Sequence, residues 1–394
     1  MVNKKVLVAM SGGVDSSVVA ALLKEQGYDL VGVTMNLACT SKASDRGCCS
    51  LNAAADAKKV AELLGFPHYT INMKDDFKHL VIDNFIEEYK NGRTPNPCIR
   101  CNQFIKFDLL MKKTKELGAE YVATGHYARI ENIQSQTSNL KTNPNIELST
   151  VQKEEKGRTL SLWERGGGSG LAGEGRFRLL KGKDSRKDQS YVLYRLTQEQ
   201  LAHTLFPLGE MTKDEVRKLA KKYKLPVAEK PESQEICFVE DDDYGRFLKE
   251  ALPDGFRPGQ ILDVSGKVVG EHQGIAFYTI GQRKGIGAHK GEPKYVVGID
   301  PQKNAVIIGD DKDTLKSELV AEDVTFISGE APAGPLDIRA KIRYNSKEAE
   351  AVVRLIGGLV VSVKFKEPQR AVTPGQSVVF YKGDEVLGGG IISR

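Results

Sequence analysis

The sequence predicts a doubly wound, parallel-sheet α/β domain, followed by a small central β-rich domain and a C-terminal β-barrel. Three observations carry this. In the first third, short apolar runs alternate with segments of helical period, the pattern of βαβ units. After Phe238 that period gives way to short apolar runs separated by Gly and Pro, which is how small β-domains read. Between residues 132 and 175 no period is sustained, and Ser, Thr, Asn, Glu, Lys and Gly dominate. That stretch is expected to be a mobile, low-complexity surface insertion, with Trp163 an exposed loop residue inside it. The domain boundaries expected are 1–236, 237–303 and 304–394.

Each element has its own signal. Lys5–Met10 is a short apolar strand. Ser16–Gln26 places Val18, Val19, Leu22 and Leu23 on one helical face, and Gly27 stops it. Leu30–Leu37 is the next strand, Asn52–Leu64 a helix ended by Gly65, and His68–Asn72 a further strand. Helices are expected over Phe77–Lys90 and Lys106–Leu117, then a strand over Tyr121–Thr124. Beyond the insertion, Gln198–Leu201 and Lys213–Tyr223 read as helices, the second with Thr212 as its N-cap. Strands are expected at Gln260–Val264, Lys267–Val269, Ala276–Ile280, Tyr295–Ile299 and Ala305–Ile308. The C-terminal set is Ile338–Tyr344, Ala351–Leu355, Leu359–Phe365, Ser377–Tyr381 and Gly389–Ile392.

Composition narrows the function classes only in part. The chain has 394 residues, enough for two or three domains at ~150 residues each. Lys and Arg number 57 against 52 Asp and Glu, a net charge of +5, which decides neither for nor against a nucleic-acid partner. Local stretches say more. Arg176–Asp188 holds six Lys/Arg against two Asp, and Glu88–Lys115 seven against two acids, both fit to meet phosphates. No apolar run approaches the ~18 residues of a membrane span, and Val6–Met10 is too short for a signal-peptide core, so a cytoplasmic chain with no membrane partner is expected. Six cysteines, Cys39, Cys48, Cys49, Cys98, Cys101 and Cys237, are too few for a disulfide scaffold. In a reducing compartment they read as metal ligands, redox groups or nucleophiles, with Cys48 and Cys49 read as loop or core thiols.

The loop Ser11-Gly12-Gly13-Val14-Asp15-Ser16-Ser17 follows the first strand and opens a helix. Its backbone N–H groups and the helix N-terminus favour an anion, and three serines add hydroxyls. It is neither a GxxxxGK[ST] nor a GxGxxG loop. Asp15 is unusual beside an anion, because its carboxylate would repel phosphate unless a cation such as Mg²⁺ lay between them. The loop resembles the pyrophosphate-binding loop of the ATP pyrophosphatase superfamily, whose members activate an oxygen by adenylation. That resemblance implies nucleotide contacts from Met35, at the end of the second strand, and from Gly125, after the Tyr121–Thr124 strand, where ligands of doubly wound folds bind.

Two further cysteine segments narrow the choice. Thr94–Asn102 is a proline-shaped loop leading into a helix, with Cys101 near the helix start beside Arg100 and Lys106, features that favour thiolate. Cys237 stands apart in Ser233–Phe238. Sulfur transfer uses such a pair, one thiol carrying a persulfide and the other resolving it. With SGGVDSS, the segments GRTPNPCIRCNQFIKF, ATGHYARI, LLKGKDSRKDQSYVLYRL, KPESQEICFVED, YTIGQRKGIG and AVTPGQSVVFY resemble, in order and over nearly the whole chain outside 132–175, the tRNA-specific 2-thiouridylases of the MnmA type.

The resemblance implies that Ala9, Met10, Ser11, Gly12, Gly13, Val14, Asp15, Ser16 and Ser17 bind ATP with Mg²⁺. It implies adenylation of O2 of the wobble uridine in a tRNA anticodon, then sulfur transfer from a Cys237 persulfide with release of AMP. Cys101 would be the nucleophile that resolves it as a disulfide, and a sulfur-relay protein or cysteine desulfurase the donor. Asn96, Pro97 and Cys98 would line the target base, while His126, Lys187, Asp188, Gln189, Arg343, Tyr344 and Gln376 match tRNA contacts. Many family members carry Asp at the position of Cys98. The thiol there makes Cys98, Cys101 and Cys237 candidate ligands of an Fe–S cluster or other metal, a second route to the same reaction. Another adenylating ligase of this superfamily, or an RNA-binding protein without catalysis, are the rival readings.

Overall fold

The structure, a computed structural model, describes residues 4–37, 51–133, 177–231, 236–239, 243–253, 255–286 and 293–393. Cys39, Cys48, Cys49, Trp163 and nearly all of the 132–175 stretch lie outside the described residues.

Apolar alternation in β1 (Lys5–Ala9) decides the first domain. Leu7 faces one core, and Val6 and Val8 face another, so both faces of the sheet are covered, as parallel sheets require. The sheet has the order β3-β2-β1-β4-β7, with β2 at Asp29–Asn36, β3 at His68–Asn72, β4 at Tyr121–Ala123 and β7 at Thr204–Leu205, all parallel. Helices α1 (Val14–Glu25) and α2 (Leu51–Leu64) pack on one face with the helix Lys213–Lys222. Helical runs 74–90 and 97–116 cover the other through Phe77, Val81, Ile105, Phe107 and Leu110. The chain order reverses between β1 and β4. The crevice at that switch point, outside the carboxyl ends of the strands, is where ligands of such sheets bind.

The strand β5 (Ala128–Asn132) pairs antiparallel with β6 (Phe177–Lys181), Asn132 opposite Phe177. The long stretch between them therefore leaves and rejoins the fold at neighbouring points. This hairpin adds to the edge of the C-terminal sheet through β6 and β17 (Glu385–Ile392). That sheet closes on itself in the order β12-β15-β14-β13-β16-β17, with β12 (Leu315–Phe326) also paired to β17. The result is a six-stranded barrel that leaves no open edge. The other strands are β13 (Leu336–Lys341), β14 (Ala349–Gly357), β15 (Val360–Arg370) and β16 (Ser377–Lys382).

The central unit is a four-stranded sheet in the order β10-β11-β8-β9, namely Tyr295–Asp300, Ala305–Gly309, Gly259–Asp263 and Val268–His272. The helix Tyr244–Ala251 precedes it. Ala276–Ile280, read as a strand from its apolar run, is instead a 3₁₀ turn over Ile275–Phe277. Ile275 and Tyr278 are drawn into the local core, and a short apolar run does not by itself distinguish the two.

Candidate active site

The loop after β1 takes the shape its glycines permit. Gly12 has φ +65°, and a Cβ there would lie 2.1 Å from the carbonyl oxygen of Ala53 in α2, so only glycine fits. Gly13 is the N-cap of α1 and offers no side-chain cap, which leaves the helix's first N–H groups for an anion. Two of the three serines brace the loop rather than face outward. Ser16 and Ser17 donate their hydroxyls to the Gly13 carbonyl at 3.3 and 2.8 Å, and the Ser11 N–H donates to Ser16 Oγ at 3.1 Å. Gly125 closes the site from β4, where a Cβ would stand 3.0 Å from Asp15 Cβ and from the Ser16 nitrogen. Met10 is tied to β2 by its N–H to the Val33 carbonyl, while Thr34 Oγ1 donates to the Met10 carbonyl. Ala9 and Met35 are half-buried, and Val14 is buried in the core beneath.

The cation at Asp15 is a lysine. Lys213 Nζ donates to both Asp15 oxygens, at 2.6 and 2.8 Å, and the Tyr127 hydroxyl donates to Oδ1 at 2.9 Å. Mg²⁺ is therefore not needed to neutralise that carboxylate. Lys213 is the first residue of the helix Lys213–Lys222, capped by a Thr212–Glu215 capping box, and its side chain is 7% exposed. Its backbone N–H donates to buried Asp184. The carboxyl of Asp184 is lowered below the usual range by that bond first, with help from Arg186. A second lysine, Lys230, donates to the Gly12 carbonyl at 3.0 Å and to Asp56 of α2 at 2.8 Å. Lys213 stands in none of the segments that carry the resemblance, and Lys230, the first residue of KPESQEICFVED, is not itself singled out there. Each meets the loop from about two hundred residues away in sequence.

The cysteine loop differs from its expected form. The helix starts at Pro97, not Lys106: Asn96 caps it by accepting the Cys98 N–H at 3.1 Å, and Pro97 occupies the first turn. Cys98, an exposed thiol, thus sits in the first turn, and Cys101 is a buried thiol one turn later. From Cys101 to Leu109 the run is π-helical, a form frequent at functional sites. Arg100 does not lie open beside Cys101: its Nε donates to the Leu80 carbonyl and its guanidinium stacks on Phe104.

This loop is gripped by the other two domains. The Thr94 N–H donates to the Pro374 carbonyl, and Gln376 Nε2 donates to the Thr94 carbonyl at 2.8 Å, both from the barrel. Thr94 Oγ1 meets Thr279 Oγ1 of the central unit at 3.1 Å.

Asp188 and Tyr344, expected at the tRNA, come together beside Cys98. The Tyr344 hydroxyl donates to the Asp188 carbonyl at 3.2 Å. Its pKa is raised, chiefly by burial and then by Asp188 and Cys98 nearby. Lys341, which the sequence did not single out, lies over the rings of Tyr191 and Tyr344, and burial lowers its pKa. Gln189 accepts the Tyr127 N–H, and Lys187 is half-buried in the same turn.

Two expected contacts have other partners. His126 is buried between Phe107 and Phe206, bonded to Thr124 Oγ1 at 2.7 Å, with burial holding its pKa well below the usual imidazole value. Arg343 donates to the carbonyls of Ile280 and Ala371 and to Thr373 Oγ1, so it ties the barrel to the central unit. Cys237 is an exposed thiol on a turn held by its neighbour Phe238, which packs on Phe77, Phe85 and Phe247. Among the described residues, no three His, Cys, Asp or Glu side chains are grouped to hold a metal ion. The alternative cluster set of Cys98, Cys101 and Cys237 is thus not assembled among the described residues. Nor is any described helix long and apolar enough to cross a membrane.

Known proteins match this arrangement along its whole length. A model described as a tRNA methyl transferase HUP domain matches residues 4–164 and 168–241. A tRNA methyl transferase PRC-barrel domain matches 245–310, and an aminomethyltransferase β-barrel domain 316–392. The tRNA-specific 2-thiouridylase MnmA of Clostridium perfringens is 48% identical over 395 residues, covering 100% of this chain and 99% of its own. The chain belongs to the tRNA-specific 2-thiouridylase family. Its relative of that name in Symbiobacterium thermophilum is 50% identical over 399 residues, covering 100% and 93%. Among solved structures, NMN synthetase from Francisella tularensis aligns with a TM-score of 0.32 at 15% identity, over 64% of this chain and 77% of its own.

Proposed function

We propose that this protein is an ATP-dependent tRNA-uridine 2-sulfurtransferase that thiolates the wobble uridine. The observation that carries the reading is the conjunction of a bare helix N-terminus at the Gly12–Gly13 loop with two exposed thiols, Cys98 and Cys237, and a buried one, Cys101. Binding alone would need no such thiols.

The residues divide the work. The first N–H groups of α1, with Gly12 and Gly13, receive the phosphates, accompanied by Mg²⁺, and Gly125 leaves room at the switch point. ATP supplies the adenylyl group that turns uridine O2 into a leaving group. Asn96, Pro97 and Cys98 face the base, which must leave its stack to be reached. The barrel holds their loop through Gln376, and the basic stretches around Lys187 and Lys106 meet the RNA backbone.

Cys237, exposed on its turn, takes sulfur as a persulfide from a relay protein or desulfurase. The terminal sulfur bonds to C2 as the C2–O bond to AMP breaks. The Cys101 thiolate attacks Cys237 Sγ, breaking the persulfide S–S bond and leaving a Cys101–Cys237 disulfide for an external thiol to reduce.

Purified protein with ATP, Mg²⁺, a persulfide donor and unmodified tRNA is expected to produce thiolated tRNA, retarded on a mercury-containing gel. Cys101→Ala and Cys237→Ala are each expected to abolish it. No retardation with a competent donor, or full activity in either variant, contradicts the reading.

A further inference from the structure

We propose that Lys230 is a phosphate-binding residue for ATP, supplying the cation that the Ser11–Ser17 loop lacks in its own sequence; this rests on the reading that the loop holds ATP. The loop contains no lysine or arginine. Of the two lysines that meet it, Lys213 is committed, with both oxygens of Asp15 bound to a nearly buried ammonium. Lys230 is placed differently. Its Nζ lies 3.0 Å from the carbonyl oxygen of Gly12, at the turn whose neighbour Gly13 caps α1 without a side-chain bond. The positive charge therefore stands on the turn that leads into the α1 N-terminus.

Two features favour a ligand role over a purely structural one. An ammonium has three N–H donors, and Gly12 and Asp56 take two, which leaves one for a phosphate oxygen. The Lys230–Asp56 pair is also about one-third exposed on both sides, 33% and 30%, and pairs so exposed contribute little to stability. Asp56 aims the ammonium at the loop, and a phosphate, with more charge and more acceptor oxygens, competes with it for Lys230.

The test is calorimetric titration of the full chain with ATP and Mg²⁺, with folding of each variant followed by thermal melting. Lys230→Met is expected to weaken ATP binding about tenfold or more, the loss typical of a hydrogen bond to a charged group. Lys230→Gln, which keeps a donor for Gly12 but no charge, is expected to weaken it similarly, and Lys230→Arg to retain most of it. Asp56→Asn separates the two roles: it is expected to bind ATP as tightly as the wild type or more tightly, because it releases the lysine. Wild-type binding with unchanged Lys230→Met and Lys230→Gln overturns this inference alone. So does an Asp56→Asn loss equal to that of Lys230→Met, which would make the pair structural. A wild-type chain that binds no ATP overturns the nucleotide reading together with it.

Discussion

Lys213 buries an ammonium group under the Ser11–Ser17 loop, held by both Asp15 oxygens and by the face of the Tyr127 ring, whose hydroxyl donates to the same carboxylate. Lys213→Met would leave the Asp15 carboxylate without its counter-charge beside the proposed phosphate site. The expected cost is about 2 kcal/mol of stability, as for other hydrogen bonds to charged groups, with weaker ATP binding. Adding Asp15→Asn to that variant is expected to return part of both, measured by thermal melting and ATP titration. Additive losses would contradict this role for the pair. The sequence made the need for a cation legible, since a carboxylate in an anion loop demands one, but it gave no means of identifying it. Lys213 lies 198 residues from Asp15, and only the packing of its helix against α1 joins them. His126 was legible as a residue near the switch point. Its burial between two phenylalanines depends on side chains from distant segments.

Four of the five strands of the parallel sheet were readable from their apolar runs, and α1 and α2 from their period and a glycine stop, whereas the two-residue edge strand β7 (Thr204–Leu205) was too short to carry a signal. The loop joining β1 to α1 was equally readable, and it is strict. Gly12→Ala would force a Cβ to within 2.1 Å of a backbone oxygen at a positive φ. Such backbone strain costs about 1–3 kcal/mol, so the variant is expected to melt lower and to lose ATP binding. Wild-type behaviour in both would mean the loop has slack that the structure does not show. The start of the cysteine helix was misplaced by two helical turns. The two prolines around Asn96 read as loop, whereas Pro97 serves as the first helical residue, where its missing N–H has no cost. That shift puts Cys98 rather than Cys101 in the first turn, where the helix dipole acts on a thiol. The long strand β12 was not recognised, because its exposed face breaks the apolar run with Lys316, Glu318, Glu322 and Asp323.

At the scale of the whole molecule, the Gly92–Cys98 segment is the meeting point of all three units. Ile299 of the central sheet packs where a Cβ on Gly92 would stand, and Pro374 and Gln376 of the barrel bond to Thr94. No periodicity in the chain reports such docking. Of the other motif segments, YTIGQRKGIG through Thr279 and AVTPGQSVVFY through Pro374 and Gln376 meet it here. Asn132 and Phe177, which bound the stretch between β5 and β6, are paired neighbours that a short turn can join. Replacing residues 135–172 by such a turn is expected to leave thiolation and melting temperature near wild type. A folded but inactive deletion would assign the stretch a role.

In the proposed reaction, uridine is activated by adenylation before sulfur arrives. The most direct measurement follows ATP labelled in its α-phosphate alongside thiouridine formed on tRNA. One AMP released per thiouridine, with pyrophosphate as co-product, is the result predicted. Release of ADP and phosphate, or thiouridine formed without nucleotide consumption, would contradict it.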